Sequence, residues 1–514
     1  MKNKLKIFYQ PLAAALFGVL MMFAFAPFSV FPLAVIAMAG LCTLIYHAAP
    51  RQSFWTGFWF GAGLFGSGVY WIFISISVYG DVPDIIAFFI TAGLIAILSL
   101  YPAIACYLTN RYFSENARSK IIYAFPAIWV ISEWVRGWFF TGFPWLMIGY
   151  SQTNSPLKGY APILSVYGVS LAVAISSGLI VHCISMLRKH DYYAVYLNLF
   201  AIAAIWITGS LLSLIPWTPA TGKPVTISLV QGNIPQSLKW NPEEVKLSLT
   251  RYRDMTQPLW GKSDIIIWPE SAIPLPLQDA EDYVDTLSEQ AKASGTQLIF
   301  GMPVRNDEDT GYYNALLSVG KYEAAYTKRQ LVPFGEYVPM QNIFARAFDF
   351  MNVPMSNMVP GKFDQKPMRF GDVIILPSIC YEISYTELAF TKDKTVGILL
   401  TATNDAWFGK STAQAQHLQM AAMRSIELAR PGLFVSNDGI TAFINDKGII
   451  ESTAPDHQAY VLTGTVQPHT GLTPWMRNQL DPLIVIISIM IFSSYRSARR
   501  TRVQQHAATV VTVK

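Results

Sequence analysis

Seven apolar stretches, each close to the length of a bilayer-crossing helix, follow one another through the first 215 residues and constrain the chain more than any other feature. About 20 mostly apolar residues cross the hydrocarbon core. The candidates lie near 9–27, 29–48, 54–78, 83–108, 121–140, 161–187 and 193–215, with a shorter eighth at 481–495. Lys2, Lys4 and Lys6 ahead of an apolar run would also suit a secretory signal peptide. That run continues to Pro27 and others follow at once, so an uncleaved first span is expected. At 52% hydrophobic and 14% charged over 514 residues, the composition fits a membrane protein carrying a water-soluble part.

The placement of charge orients the spans. Lys2, Lys4 and Lys6, then Arg51, then Arg111, Arg118 and Lys120, then Arg188 and Lys189, and finally Arg496, Arg499, Arg500 and Arg502 all fall on one side. The alternate connections are poor in Lys and Arg: 80–84 has none and 141–160 has only Lys158. The positive-inside rule then puts both termini in the cytoplasm and the long segment on the far side, the periplasm in a bacterial envelope. The small positive net charge is thus a matter of loop placement and no sign of nucleic-acid binding. The expected plan is a membrane domain of about seven spans (1–216), a soluble domain (217–478), a last transmembrane helix (479–496) and a basic cytoplasmic tail (497–514), disordered after Arg502.

Glu133 and Arg136 lie three residues apart within the fifth stretch, so they share a helix face and can pair. Such residues often line a functional bundle interior; a structural pair near an interface is the alternative. The aromatic loop 142–146 that follows suits the headgroup layer.

From Pro224 the texture changes. Short β-branched runs at 225–230, 265–268, 297–302, 315–319, 373–379, 397–402 and 433–437 read as strands, and 281–294 and 413–429 as helices. Strands alternating with helices indicate a layered α/β domain. The apolar piece 334–362 fits neither pattern and reads as a lid dipping toward the bilayer, or else as an internal core loop.

Three strand ends in this domain carry the residue types for acyl transfer through a thiol. Ile267-Trp268-Pro269-Glu270 ends in a carboxylate, Tyr326-Thr327-Lys328 in an amine, and Val373 to Ile379 in Cys380. Cys380 is the only cysteine outside the apolar stretches, since Cys42, Cys106 and Cys183 all lie within them. A thiol attacks as thiolate, so it needs a base and a nearby cation; a glutamate and a lysine supply these, and the lysine can also hold an oxyanion. A Cys–His pair is the other common solution, but His417, His457 and His469 occupy no comparable setting. The histidines are scattered and lack ligand spacing, so no metal and no cofactor are expected.

Glu270, Lys328 and Cys380 in these contexts match the Glu-Lys-Cys pattern of the nitrilase (carbon–nitrogen hydrolase) superfamily, a resemblance covering roughly 224–470. The run Val230-Gln231-Gly232-Asn233-Ile234-Pro235-Gln236, then Lys239-Trp240, the run 331–339 and Asn404-Asp405-Ala406-Trp407-Phe408-Gly409 narrow it. Together with 133–146 and the seven-plus-one arrangement of spans, the chain resembles the apolipoprotein N-acyltransferases of bacterial inner membranes. The short last span is the least typical feature.

The resemblance implies a polytopic α-helical membrane domain plus a periplasmic α/β nitrilase-like αββα sandwich. It also implies a two-step reaction. Cys380, deprotonated by Glu270 with Lys328 at the oxyanion, would take an acyl chain from a phospholipid, phosphatidylethanolamine being the expected donor. The α-amino group of a lipoprotein's S-diacylglyceryl N-terminal cysteine would then accept the chain. Glu336 carries over as a supporting carboxylate. Tyr381, Glu382 and Asn314 would shape the acyl or amine pocket, and Trp240 would contact lipid. A monomer is the expected state. Two rivals remain: a membrane-tethered amidase acting on small amides, and a transporter whose outer domain only binds substrate.

Overall fold

The computed structural model describes residues 2–113, 116–236, 242–333, 335–337 and 357–512. They form two compact units: one of Met1–Tyr70, Phe88–Ile215 and Arg477–Lys514, the other of Trp71–Ala87 and Pro216–Met476.

The first unit is helical. Among the described residues, Asp84–Tyr112, Pro156–Leu187, Tyr192–Leu214 and Asp481–Thr501 are long and apolar enough to cross a membrane, and Pro50–Gly68 with Trp71–Tyr79 qualifies as a bent pair. The chain is a multi-pass membrane protein. One expected span is shorter than anticipated: the second appears as helix Pro32–Ile45, 14 residues, opened by a proline in its first turn. The first is helix Lys2–Met22, which starts and stops ahead of the expected 9–27. The expected fifth is present as a helix that runs on from the π-helical turn Lys120–Ala124 into Phe125–Trp138. The last helix runs from Asp481 to Thr512, through the tail expected to be disordered; its Arg, Gln and Ala residues are good helix formers.

Helices Lys2–Met22 and Pro50–Gly68 meet backbone to backbone. A Cβ on Gly18 would lie 2.1 Å from Phe60 O, and one on Gly63 would lie 2.1 Å from Ala15 O, so only glycine permits this approach. Glu133 and Arg136, both 3% exposed, act on the loop that follows them. Arg136 Nη1 donates to Phe143 O at 2.8 Å, while Glu133 Oε1 accepts from Ile148 N at 2.8 Å and Trp129 Nε1 at 3.1 Å. Buried backbone groups need partners, and these two charges supply them, which favours the structural alternative for the pair.

The second unit contains two six-stranded sheets. The first joins β1 (Val225–Gln231), β2 (Ile265–Ile267), β3 (Gln297–Arg305), β4 (Tyr312–Val319), β5 (Ala324–Thr327) and β12 (Tyr460–Val466), in the order β12-β1-β2-β3-β4-β5. The second joins β6 (Met368–Phe370), β7 (Val373–Ile379), β8 (Ile398–Thr403), β9 (Gly432–Ser436), β10 (Ala442–Ile444) and β11 (Ile450–Thr453), in the order β11-β10-β9-β8-β7-β6. In each sheet the parallel strands lie at the centre: β1, β2 and β3 in the first, β7, β8 and β9 in the second. Strands covered on both faces read as unbroken apolar runs, as in Ile265-Ile266-Ile267, all buried. Val284, Leu287 and Ala291 of helix Glu281–Ser294 pack on Ile266, Leu298 and Phe300 of the first sheet. Leu418, Ala421 and Ala422 of helix Ala413–Leu428 pack on Phe434, Ala442 and Ile444 of the second. Each sheet therefore has helix on its outer face.

All seven expected strands and both expected helices are present; β5, β6, β10, β11, β12 and helix Pro242–Thr256 were not foreseen. Nor was the membership of Trp71–Ala87, which hydropathy assigns to spans. Ser75 Oγ donates to Trp407 O at 2.7 Å, and the Trp71 and Phe408 rings meet edge-on at 4.7 Å.

Candidate active site

Glu270, Lys328 and Cys380 sit where three strands end. Glu270 follows β2, whose pairing runs one residue further because Trp268 N donates to Ile299 O. Trp268 is fully buried and its Nε1 donates to Thr256 at 2.9 Å, which anchors the turn. Ser271 then adopts φ +50° and the turn lies flat on β3. A Cβ at Gly301 would fall 2.6 Å from Pro269 O and 2.7 Å from Glu270 Cα, so glycine at 301 is what lets Glu270 settle there. Lys328 follows β5, its N–H donating to Asn314 O at 2.8 Å.

Cys380 ends β7 in the other sheet with φ +51°. That left-handed conformation costs a residue with a Cβ on the order of 1–2 kcal/mol, so the surroundings must impose it. Glu382 is one cause. Fully buried, its Oε2 accepts from Ile379 N and Tyr326 Oη, each at 2.8 Å, and its Oε1 from Arg329 N at 2.6 Å. Burial pushes its carboxyl up, against the pull of Arg329 and of the Ile379 and Arg329 N–H groups. This corrects the expectation that Glu382 lines a pocket: its oxygens are taken up in joining the Cys380 turn to the strand end that carries Lys328.

A cluster of charges lies at the centre. Lys328 Nζ donates to Glu270 Oε1 at 3.2 Å and Glu336 Oε1 at 2.9 Å, with the lysine 1% exposed. Burial pulls the ammonium down, but Glu270 and Glu336 outweigh it and hold Lys328 well above its ordinary value. The lysine stays charged. Asn314 Nδ2 is shared between Glu270 Oε1 at 2.7 Å and Glu336 Oε1 at 3.1 Å, so this group also differs from expectation: it ties the two carboxylates together. Glu336 Oε2 accepts from Val332 N at 2.8 Å. Glu270 Oε2 accepts from Asn404 N at 2.9 Å, a bond that crosses from the end of β8 in the second sheet to the first.

Cys380 responds to this cluster. Burial pushes the thiol up, Glu270 pushes it further, and Lys328 pulls part of the way back. The net rise keeps the resting thiol protonated, so attack requires a base beside it. Of the two carboxylates that push the thiol up, Glu270 and Asp405, Glu270 acts more strongly, and its Oε2 accepts from the neutral Asn404 N–H. Tyr381 packs edge-on against Tyr385 at 5.1 Å, both buried. Trp240 and most of the expected lid (residue 334 and 338–356) lie outside the described residues.

Asn404, Asp405 and His417 were not singled out as site residues. The available signal was the strand-end logic that located the other three, because Asn404 and Asp405 directly follow β8. His417 lies mid-helix and gives no such signal. Its Nε2 lies 3.1 Å from Cys380 O, so the imidazole meets the backbone of the cysteine and is not its Cys–His base. Among the described residues no cluster of three or more His, Cys, Asp or Glu could hold a metal ion.

Residues 226–473 match the family described as carbon-nitrogen hydrolase, and residues 17–179 match the apolipoprotein N-acyltransferase N-terminal domain. The first match, with two helix-covered sheets, gives the second unit the nitrilase-like αββα architecture. Curated proteins named apolipoprotein N-acyltransferase are similar along nearly the whole chain. The one from Azotobacter vinelandii is 38% identical over 478 residues, covering 92% of this chain and 92% of its own. Those from Pseudomonas putida and Coxiella burnetii are each 37% identical, over 480 and 483 residues, covering 92% and 94% of this chain and 94% and 99% of their own. Matched at both ends, at this identity, and over almost all of its length, the chain belongs to the apolipoprotein N-acyltransferase family.

Proposed function

We propose that this enzyme moves a fatty acyl chain from a phospholipid to the α-amino group of the N-terminal S-diacylglyceryl cysteine of apolipoproteins, through a thioester on Cys380. The observation that carries the reading is the Lys328 ammonium held between Glu270 and Glu336, beside a protonated thiol in a strained turn. Glu270 accepts the thiol proton as sulfur attacks the ester carbonyl, and Lys328 stabilises the oxyanion. When the ester C–O bond breaks, Glu270 returns the proton to the departing alkoxide and a lysophospholipid leaves. The lipoprotein amine then attacks the thioester and loses a proton to Glu270. The C–S bond breaks, an amide forms, and the thiol recovers its proton. Glu336 and Asn314 position Lys328 and Glu270, and Glu382 positions the Cys380 turn.

The topology belongs to the same proposal. Both termini are cytoplasmic and the catalytic domain, 217–478, faces the periplasm from the inner membrane, between a membrane domain at 1–216 and a final span at 479–496. Both substrates are anchored in that membrane, and phosphatidylethanolamine is the proposed donor to a monomeric enzyme. A site held against the bilayer raises their local concentration, and exclusion of water protects the thioester from hydrolysis.

Intact mass of the protein purified from membranes tests this directly. Wild type should carry a fatty-acyl increment that hydroxylamine removes and that Cys380→Ala lacks. Folded wild-type protein that gains no adduct after incubation with phosphatidylethanolamine would transfer the weight to hydrolysis of small amides.

A further inference from the structure

The tie between His417 and the cysteine is the first of a chain of buried contacts. His417 Nε2 reaches Cys380 O at 3.1 Å, and Nδ1 meets Asp405 Oδ1 at 2.9 Å. Thr403 Oγ1 donates to the same Asp405 oxygen at 2.7 Å. One buried carboxylate therefore braces the ring that meets the nucleophile's carbonyl. Asp405, His417 and Thr403 are all fully buried. The imidazole is also gripped edge-on by Phe408 at 6.0 Å and Phe434 at 5.3 Å.

A carbonyl oxygen only accepts, so Nε2 carries a proton and donates to Cys380 O. The carbonyl lies one bond beyond the Cα at which φ is +51°. Holding that oxygen opposes relaxation of the turn toward ordinary backbone, and the buried Asp405 keeps the ring from rotating. Second partners of this kind set how well a reacting group is oriented.

We propose that Asp405 and His417 form a positioning pair that clasps the Cys380 carbonyl and holds the nucleophile in its left-handed turn. The pair takes no proton from the thiol and touches no substrate. The proposal rests on Cys380 being the nucleophile.

Two substitutions separate the halves of the clasp. The amide nitrogen of His417→Gln extends to where Nε2 stands and can still donate to Cys380 O. The shorter His417→Asn reaches only to where Nδ1 stands, so it serves Asp405 and abandons the carbonyl. The readout is the rate at which purified, monodisperse enzyme gains the acyl-thioester from phosphatidylethanolamine, with the donor concentration varied to separate rate constant from half-saturation. His417→Asn should acylate roughly tenfold slower or worse, the loss of about one buried hydrogen bond, at a half-saturating donor concentration within about twofold of wild type. His417→Gln should recover most of the rate. Asp405→Asn, which loosens the ring without altering the carbonyl contact directly, should fall between them and serves if His417→Asn does not fold. Folded His417→Asn or Asp405→Asn acylating at the wild-type rate would overturn the proposal, as would equal losses in the Asn and Gln variants. Failure of the underlying reading looks different, because wild type itself would then form no adduct.

Discussion

Replacing Glu336 by Gln gives the sharpest test of how the charge cluster works. The carboxylate accepts three hydrogen bonds: from Lys328 and Asn314 on Oε1, and from Val332 N on Oε2. A Gln amide keeps one oxygen and turns the other into a donor. If its oxygen stays with Lys328 and Asn314, its NH2 group faces the Val332 N–H, donor against donor. Reversed, it faces an ammonium, which is worse. At least one contact is lost, and Lys328 exchanges an anionic partner for a neutral one. Hydrogen bonds to charged groups contribute about 1.5–3 kcal/mol each. If Lys328 is needed in place only when the oxyanion forms, that loss falls on the transition state and slows turnover by about 10- to 150-fold. Half-saturation by donor should hardly change, since the lost contact matters only once the oxyanion forms. The assay is the initial rate of transfer from labelled phosphatidylethanolamine to a synthetic S-diacylglyceryl lipopeptide in detergent, followed by mass spectrometry. A rate within about threefold of wild type, or a loss confined to half-saturation, would refute the claim that Glu336 positions Lys328.

Glu270→Gln should move two properties in opposite directions. Glu270 helps hold the thiol up, so neutralising it lowers the thiol pKa. At about pH 9, still below that value, the thiolate fraction rises tenfold for each unit of lowering. Alkylation of Cys380 by iodoacetamide should therefore quicken while acyl transfer falls by about 10²–10⁴-fold for loss of the base; a parallel fall in both would contradict the assigned electrostatics. Gly301→Ala drives a Cβ into the backbone of the Glu270 turn, 2.6 Å from Pro269 O. It should cost about 1–3 kcal/mol, lowering Tm, and the folded fraction should still be nearly inactive because Glu270 is displaced. A wild-type rate in that variant would show that the close approach does not matter.

The charge cluster also gives a physical account of how a buried cysteine could serve as the proposed nucleophile. A low-dielectric setting disfavours the thiolate, and Cys380 is indeed held up by burial. Glu270 makes this worse in the resting state. Yet the arrangement suits a reaction in which proton loss and attack coincide, since the proton moves to the carboxylate and Lys328 then faces a new anion. A permanent thiolate would be more exposed to oxidation in an oxidising compartment. The protonated resting state avoids that exposure.

The amino-acid sequence by itself determined the class of the protein, because the relevant signals are local and repeat along the chain. Apolar stretches of about 20 residues have few alternatives to membrane helices, and β-branched runs bounded by turn residues have few alternatives to strands. The strand-end positions of Glu270, Lys328 and Cys380 were legible for the same reason: each is a reactive residue at the point where an apolar run stops. Helix lengths were less legible, as at Pro32–Ile45, since hydropathy does not register where the backbone stops being helical. Tertiary structure alone decided the roles of residues whose partners are distant in sequence. Glu382 resembles a pocket residue until its oxygens are found on Ile379, Arg329 and Tyr326. Asn314 resembles one until it is found between two carboxylates. His417 was set aside because it follows no strand, yet a helix packed on the second sheet brings it to the carbonyl of a cysteine 37 residues away. A polar side chain acts through its partners, and in this fold the partners come from different strands, helices and sheets. No local pattern encodes that assembly; packing creates it.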